Sequence, residues 1–148
     1  MVGWNPVHAD RNSDPIRSVD ETDLAAIEDR AIQAINDAAA ATVLVTFRGR
    51  AGSSASGVII DPSGLVLTAG HVGDQPGRRG VITLPDGREF RVRTLGQIFE
   101  GDVDLGLIQI LNLDEEEDLP AVELAPEDDL QDGDWVLTLG YAAAISEA

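Results

Sequence analysis

Apolar residues recur at three- and four-residue intervals from Glu21 to about Ala40, and after Thr42 the pattern changes to short β-branched runs. Leu24, Ile27, Ala31, Ile35 and Ala38 form the first pattern, and alanine, the strongest helix former, dominates its end. An amphipathic helix over residues 21–41, packed on a larger body, is predicted. Asp20 or Thr22 suits its N-cap, and Glu21 and Asp23 suit the positive end of its dipole. The first 20 residues, with Pro6, Pro15 and scattered charges, read as a flexible polar arm in which Trp4 is the one large apolar group.

The remainder reads as strands. Thr42–Phe47 is rich in β-branched residues. Ser56–Ile60 and Leu65–Thr68 flank Asp61-Pro62-Ser63-Gly64, whose residue types favour a tight turn. Val81–Leu84 and Glu89–Leu95 flank a second such turn, Pro85-Asp86-Gly87-Arg88. Leu105–Ile110 is almost wholly apolar and is expected to be buried on both faces. Ala121–Leu124 and Trp135–Leu139 are expected as the last two strands, with Trp135 in core or interdomain packing. Short strands at even spacing with turn signals between them predict a mostly β chain closed into an antiparallel barrel, preceded by one α-helix.

Composition narrows the chemistry. The 148 residues include 27 acidic and 10 basic side chains, for a formal charge of −17. Such a surface repels nucleic acid and anionic membranes. All ten basic residues are arginine, which excludes a phosphate-loop lysine, a Schiff base and a Ser-Lys dyad within these residues. Cysteine is absent, so thiolate catalysis, disulfides and zinc–thiolate sites are excluded likewise. No apolar run has the length of a membrane span, and the polar start, with Asp10, Arg11, Asp14 and Arg17, is not a secretory signal. The run Asp114–Asp118 lacks the alternating ligands and glycine of a calcium loop and reads as a solvated loop. Arg91 and Arg93 alternate with Phe90 and Val92 as the wet face of a strand, and with Arg78 and Arg79 they form a small basic spot.

Against this background Thr68-Ala69-Gly70-His71-Val72 stands out: one histidine at a strand end, set on small residues. An imidazole titrates close to neutral pH and can take a proton from a hydroxyl, provided that a carboxylate holds its other nitrogen. Asp104, at the head of the Leu105–Ile110 run, is the candidate carboxylate, and Asp102 competes with it. The two meet only if the intervening hairpin folds back, as a barrel requires. Two other readings stand beside this one: a structural histidine satisfying its own hydrogen bonds, and a metal site, for which no third ligand is evident. His8 lies in the polar arm and reads as uninvolved.

The ordered set of motifs carries a resemblance. Ser56-Gly57-Val58-Ile59-Ile60-Asp61-Pro62-Ser63-Gly64-Leu65-Val66-Leu67-Thr68-Ala69-Gly70-His71-Val72 resembles the histidine region of trypsin-like serine proteases, in particular their HtrA (Do-like, DegP-type) branch. Leu84–Phe90 is similar to that branch's strand-turn-strand, Asp102–Ile108 to its aspartate segment, and Gly133–Gly140 to the strand that leads toward the second barrel. The resemblance spans about residues 40–141.

It implies that residues 42–148 are the first of the family's two barrels, with His71 as general base and Asp104 as its orienting partner. The family's nucleophilic serine sits in a Gly-x-Ser-Gly-Gly loop of the second barrel. Ser13, Ser18, Ser53, Ser54, Ser56, Ser63 and Ser146 have no such surroundings. The expectation is therefore the N-terminal half of a serine endopeptidase, inactive alone, with the second barrel absent. No cofactor and no metal are implied. Peptide or unfolded-protein substrates and a possible homo-oligomer are implied for the full-length protein, and a cell-envelope, periplasmic or secreted location, although no signal peptide is seen. The alternative is a non-catalytic trypsin-fold binding or regulatory module. A third reading is an acidic calcium-binding protein. The half-protease reading also predicts an exposed apolar surface near His71.

Overall fold

A computed structural model describes residues 21–47, 54–100, 103–114, 117–126 and 130–141. The polar arm with Trp4 and His8, the competing Asp102, and Glu115 and Glu116 lie outside the described residues. The helix α1 covers Glu21–Ala41 and runs without a break into β1, Thr42–Phe47. Thr42 Oγ1 donates to Ala38 O at 2.8 Å, satisfying one of the carbonyls that a helix end leaves open.

Five further strands follow: β2, Ser54–Asp61; β3, Leu65–Ala69; β4, Arg79–Thr83; β5, Glu89–Glu100; and β6, Val103–Ile110. They close into a barrel in the order β1-β2-β3-β6-β5-β4, every neighbour antiparallel, with β1 pairing β4 through Leu44↔Thr83 to complete the ring. Alternation sends one residue of each pair inward. Val43 and Val45 from β1, Ile59, Val66, Ile82, Val92 and Ile108 meet there fully buried.

Both predicted turns form with the expected chemistry. In the first, Gly64 takes φ +86°, its N–H reaches Asp61 O at 2.9 Å, and Ser63 N donates to Asp61 Oδ1 at 2.8 Å. In the second, Gly87 takes φ +89° and Leu84 N donates to Arg88 O at 2.9 Å.

Four expectations need correction. Leu105–Ile110 is not buried on both faces: Gly106, Ile108 and Ile110 point inward, while Leu105 stays 41% exposed. In a closed barrel a strand has one inner face only. Strand β5 also outruns its sequence signal, passing Leu95 to Glu100 through a register shift between Thr94 and Gly96. Residues 121–124 and 135–139 form no strand; the six strands close the ring without them. Val122 N makes a single bond, to Ile59 O at 2.9 Å, just past the last β1 partner of β2, Val58. Trp135 is 97% exposed and so takes no part in the core of this barrel.

The helix is also less covered than its pattern suggests. Leu24, Ile27, Ile32 and Ile35 are exposed, and only the end of α1 is well packed, with Ala41 fully buried. With no loop between α1 and β1, the chain cannot turn the helix back onto the barrel wall.

Candidate active site

His71 stands on a single 3₁₀ turn, Gly70–Val72, that follows β3 and is closed by Gly73 N donating to Gly70 O at 2.9 Å. Gly70 and Val72 are buried on either side of it. Val72 anchors the turn in the core, so the imidazole is driven outward, where its side chain is 72% exposed. Asp104 arrives on the neighbouring strand, because β3 pairs β6 with Ala69 opposite Leu105. Two residues 33 positions apart thereby meet.

Asp104 holds the histidine with both oxygens. His71 N donates to Oδ1 at 3.0 Å, and Nδ1 lies 2.9 Å from Oδ2. A carboxylate only accepts, so in the neutral ring this contact places the proton on Nδ1 and leaves Nε2 as the acceptor of a largely exposed side chain. The hydrogen bond from the His71 side chain pulls the Asp104 carboxyl below its ordinary 3.8, assisted by the His71 backbone N–H and opposed by desolvation.

The sign of the pH dependence follows. A carboxylate depressed in the folded state adds stability that is fully present above pH 3.8 and is lost as the pH falls through the folded value. Asp61 and Asp86, depressed chiefly by hydrogen bonds from Ser63 and Arg88, act in the same direction. Melting temperature should therefore fall on acidification from pH 5 to 3. The difference between wild type and Asp104→Asn should shrink across that window, and a constant gap would show that this carboxylate has no coupling to folding.

Beside Asp104 opens a cleft of about 300 Å³ lined by Thr42, Ser56, Val58, Leu67, Leu105 and Leu139. Ser56 is tied to the chain beyond the barrel: Tyr141 N donates to its Oγ at 2.8 Å. Val103 and Leu105 on β6, with Ile98 opposite Leu105 on β5, add exposed apolar surface to this end of the barrel. Sequence reasoning singled out none of these lining residues as site members, since they come from different elements. The available signal was that β2, β3 and β6 are apolar on their outward positions Val58, Leu67 and Leu105 as well as inside. Among the described residues no group of three metal-ligating side chains converges.

A six-stranded antiparallel barrel with a histidine turn after its third strand and an aspartate on its sixth defines a trypsin-type β-barrel. Comparison with known proteins agrees. Residues 55–148 match the trypsin-like peptidase domain model. A probable periplasmic DegP-like serine endoprotease from Rickettsia prowazekii is 39% identical over 85 residues, covering 57% of this chain and 15% of that protein. The periplasmic serine endoprotease DegP of Salmonella typhimurium is 38% identical over 93 residues, covering 62% of this chain and 18% of that protein. A solved HtrA-type protease with a tripeptide superimposes with a TM-score of 0.56 at 29% identity, over 70% of this chain and 32% of that one. The chain belongs to the trypsin-like peptidase family, in its HtrA branch, and spans less than a fifth of the length of these two curated relatives.

Proposed function

We propose that His71 and Asp104 are the general base and the orienting carboxylate of a serine endopeptidase whose nucleophile is supplied from outside these 148 residues. The observation that carries this reading is the two-point grip of Asp104 on His71, which holds the imidazole in the tautomer a general base needs. In the complete enzyme, Nε2 takes the proton of the attacking serine hydroxyl as its oxygen adds to the scissile carbonyl. The imidazolium then returns that proton to the leaving amine, and water releases the acyl group by the same route. The apolar cleft beside Asp104 suits a peptide or an unfolded segment rather than a charged small molecule. The names of the two DegP-type relatives favour a periplasmic setting.

None of the seven serines lies in a Gly-x-Ser-Gly-Gly context, so residues 1–148 alone are expected to hydrolyse no peptide. The test uses fluorophosphonate labelling and fluorogenic peptide turnover, on residues 1–148 and on the complete gene product. Labelling and turnover confined to the complete product, and lost with His71→Ala, support the proposal. Turnover by residues 1–148 that disappears with His71→Ala would show that the nucleophile lies within them. A complete product that fails to label would favour a non-catalytic module.

A further inference from the structure

Five of the ten arginines fall between positions 78 and 93, and the structure divides them into two groups. Arg78 stacks over the Phe47 ring at 4.2 Å. Arg88 pairs with Asp86 at 2.7 Å and with Glu117. Arg79, Arg91 and Arg93 are exposed and have no ion pair or hydrogen bond to their side chains among the described residues.

These three share the outer face of the β4–β5 ladder. Arg79 stands directly opposite Arg93, and Arg91 lies opposite Val81. Their inward neighbours Ile82, Val92 and Thr94 are buried, which fixes the arginines outward. Like charges directly opposed on adjacent strands destabilise a sheet. In a chain with 27 acidic residues a counter-charge would be easy to provide, yet the one carboxylate placed on this face, Glu89, sits opposite Thr83 at its edge. Among the described residues nothing pairs with these three forked cations, which suits them to an external anion.

Geometry selects the type of anion. Arg91 and Arg93 are two strand residues apart, about 6.8 Å by the strand rise, which matches the spacing of alternate side chains on an extended peptide. Guanidinium forks favour planar carboxylates. A long polyanion such as nucleic acid would run beyond the patch onto a surface of net charge −17, whereas a short acidic segment would not. The patch is also separate from the dyad: Arg93 pairs with Gln109, about 17 Å along β6 from Asp104 by the same rise. We propose that the outer β4–β5 face, through Arg79, Arg91 and Arg93, is a docking surface for an extended peptide segment with carboxylates on alternate residues. This inference does not depend on the catalytic reading.

The test is fluorescence anisotropy of the 148-residue chain with a labelled Thr-Glu repeat peptide at about 0.15 M ionic strength, where the Debye length is about 8 Å. Saturable binding is expected, at least about tenfold weaker in the Arg91→Gln/Arg93→Gln double variant, a loss of about 1.4 kcal/mol. Binding should be unchanged in Arg30→Gln on α1, and absent for a Thr-Gln repeat of equal length. Because Arg79→Gln removes the opposed charge from Arg93, its melting temperature should equal or exceed that of wild type, so weaker binding there cannot be ascribed to misfolding. The proposal is overturned if the double variant binds as wild type does, if the Thr-Gln peptide binds equally well, or if a single-stranded oligonucleotide binds more tightly than the acidic peptide.

Discussion

Asp104→Asn is expected to lower the turnover of the complete protease by about 10⁴-fold, the scale found when the orienting carboxylate of such a triad becomes an amide. The reason lies in one atom. Oδ2 accepts from Nδ1 at 2.9 Å, and this bond places the imidazole proton on Nδ1. An amide nitrogen at the same position donates instead, which drives the proton to Nε2, the atom that must accept from the serine. Oδ1, meanwhile, can still accept from His71 N, so the turn is retained. The expected signature is therefore a loss of activity with the fold preserved. Nitrogen-15 NMR of the imidazole in residues 1–148 reads the cause directly: Nδ1–H in wild type, Nε2–H in the variant. The same tautomer in both proteins would dissociate the pair.

Gly70→Ala should act on the same pair through space. Gly70, the first residue of the histidine turn, is buried against β6. A β-carbon built there collides with Asp104 Oδ1 and comes within 3.2 Å of the Leu105 backbone N and O. Backbone atoms cannot swing aside as a flexible side chain can. Overpacking of this kind costs about 1–3 kcal/mol, and Asp104 is the nearest group free to move. A displacement of about 1 Å at such a site can reduce turnover by about 10²-fold. The variant should show a lower urea midpoint, a mixed imidazole tautomer and impaired turnover in the complete enzyme. Gly77→Ala is the matching control. It has open space around it but a φ of +85°, so it should lose about 1–2 kcal/mol from left-handed strain and keep the wild-type tautomer. If Gly70→Ala also kept that tautomer, the close approach would have no bearing on the dyad.

The parts that were legible in advance rest on short-range chemistry. The switch from helical to alternating spacing at Thr42 marks where α1 ends, since each residue responds mainly to its immediate neighbours. Asp61-Pro62-Ser63-Gly64 and Pro85-Asp86-Gly87-Arg88 specify turns because the left-handed glycine and the aspartate bonds are local. His71 and Asp104 were legible for another reason: their flanking residues form an ordered motif set, and that set identified the pair before any distance was known.

Errors arose where a local pattern had to be weighed against the closed ring. The apolar residues of Leu105–Ile110 suggested two buried faces, but the outward Leu105 lines a cleft. Residues 121–124 were expected as a strand, but the six-stranded ring closes without them and Val122 N makes one bond to it. The periodic face of α1 suggested a packed helix, but its direct fusion to β1 leaves Leu24 and Ile27 exposed.

Chain chemistry alone thus dictated the helix and the two hairpin turns, because each depends on side chains close together along the polypeptide; composition set the strongly acidic character, and the resemblance of the flanking motifs singled out His71 and Asp104 as candidates. Register and closure dictated the rest. The meeting of His71 with Asp104, the close approach of position 70 to Asp104 and Leu105, and the opposition of Arg79 to Arg93 all depend on which strands pair and at what offset. That offset is the joint result of many long-range backbone and core contacts, and no single segment of the chain encodes it.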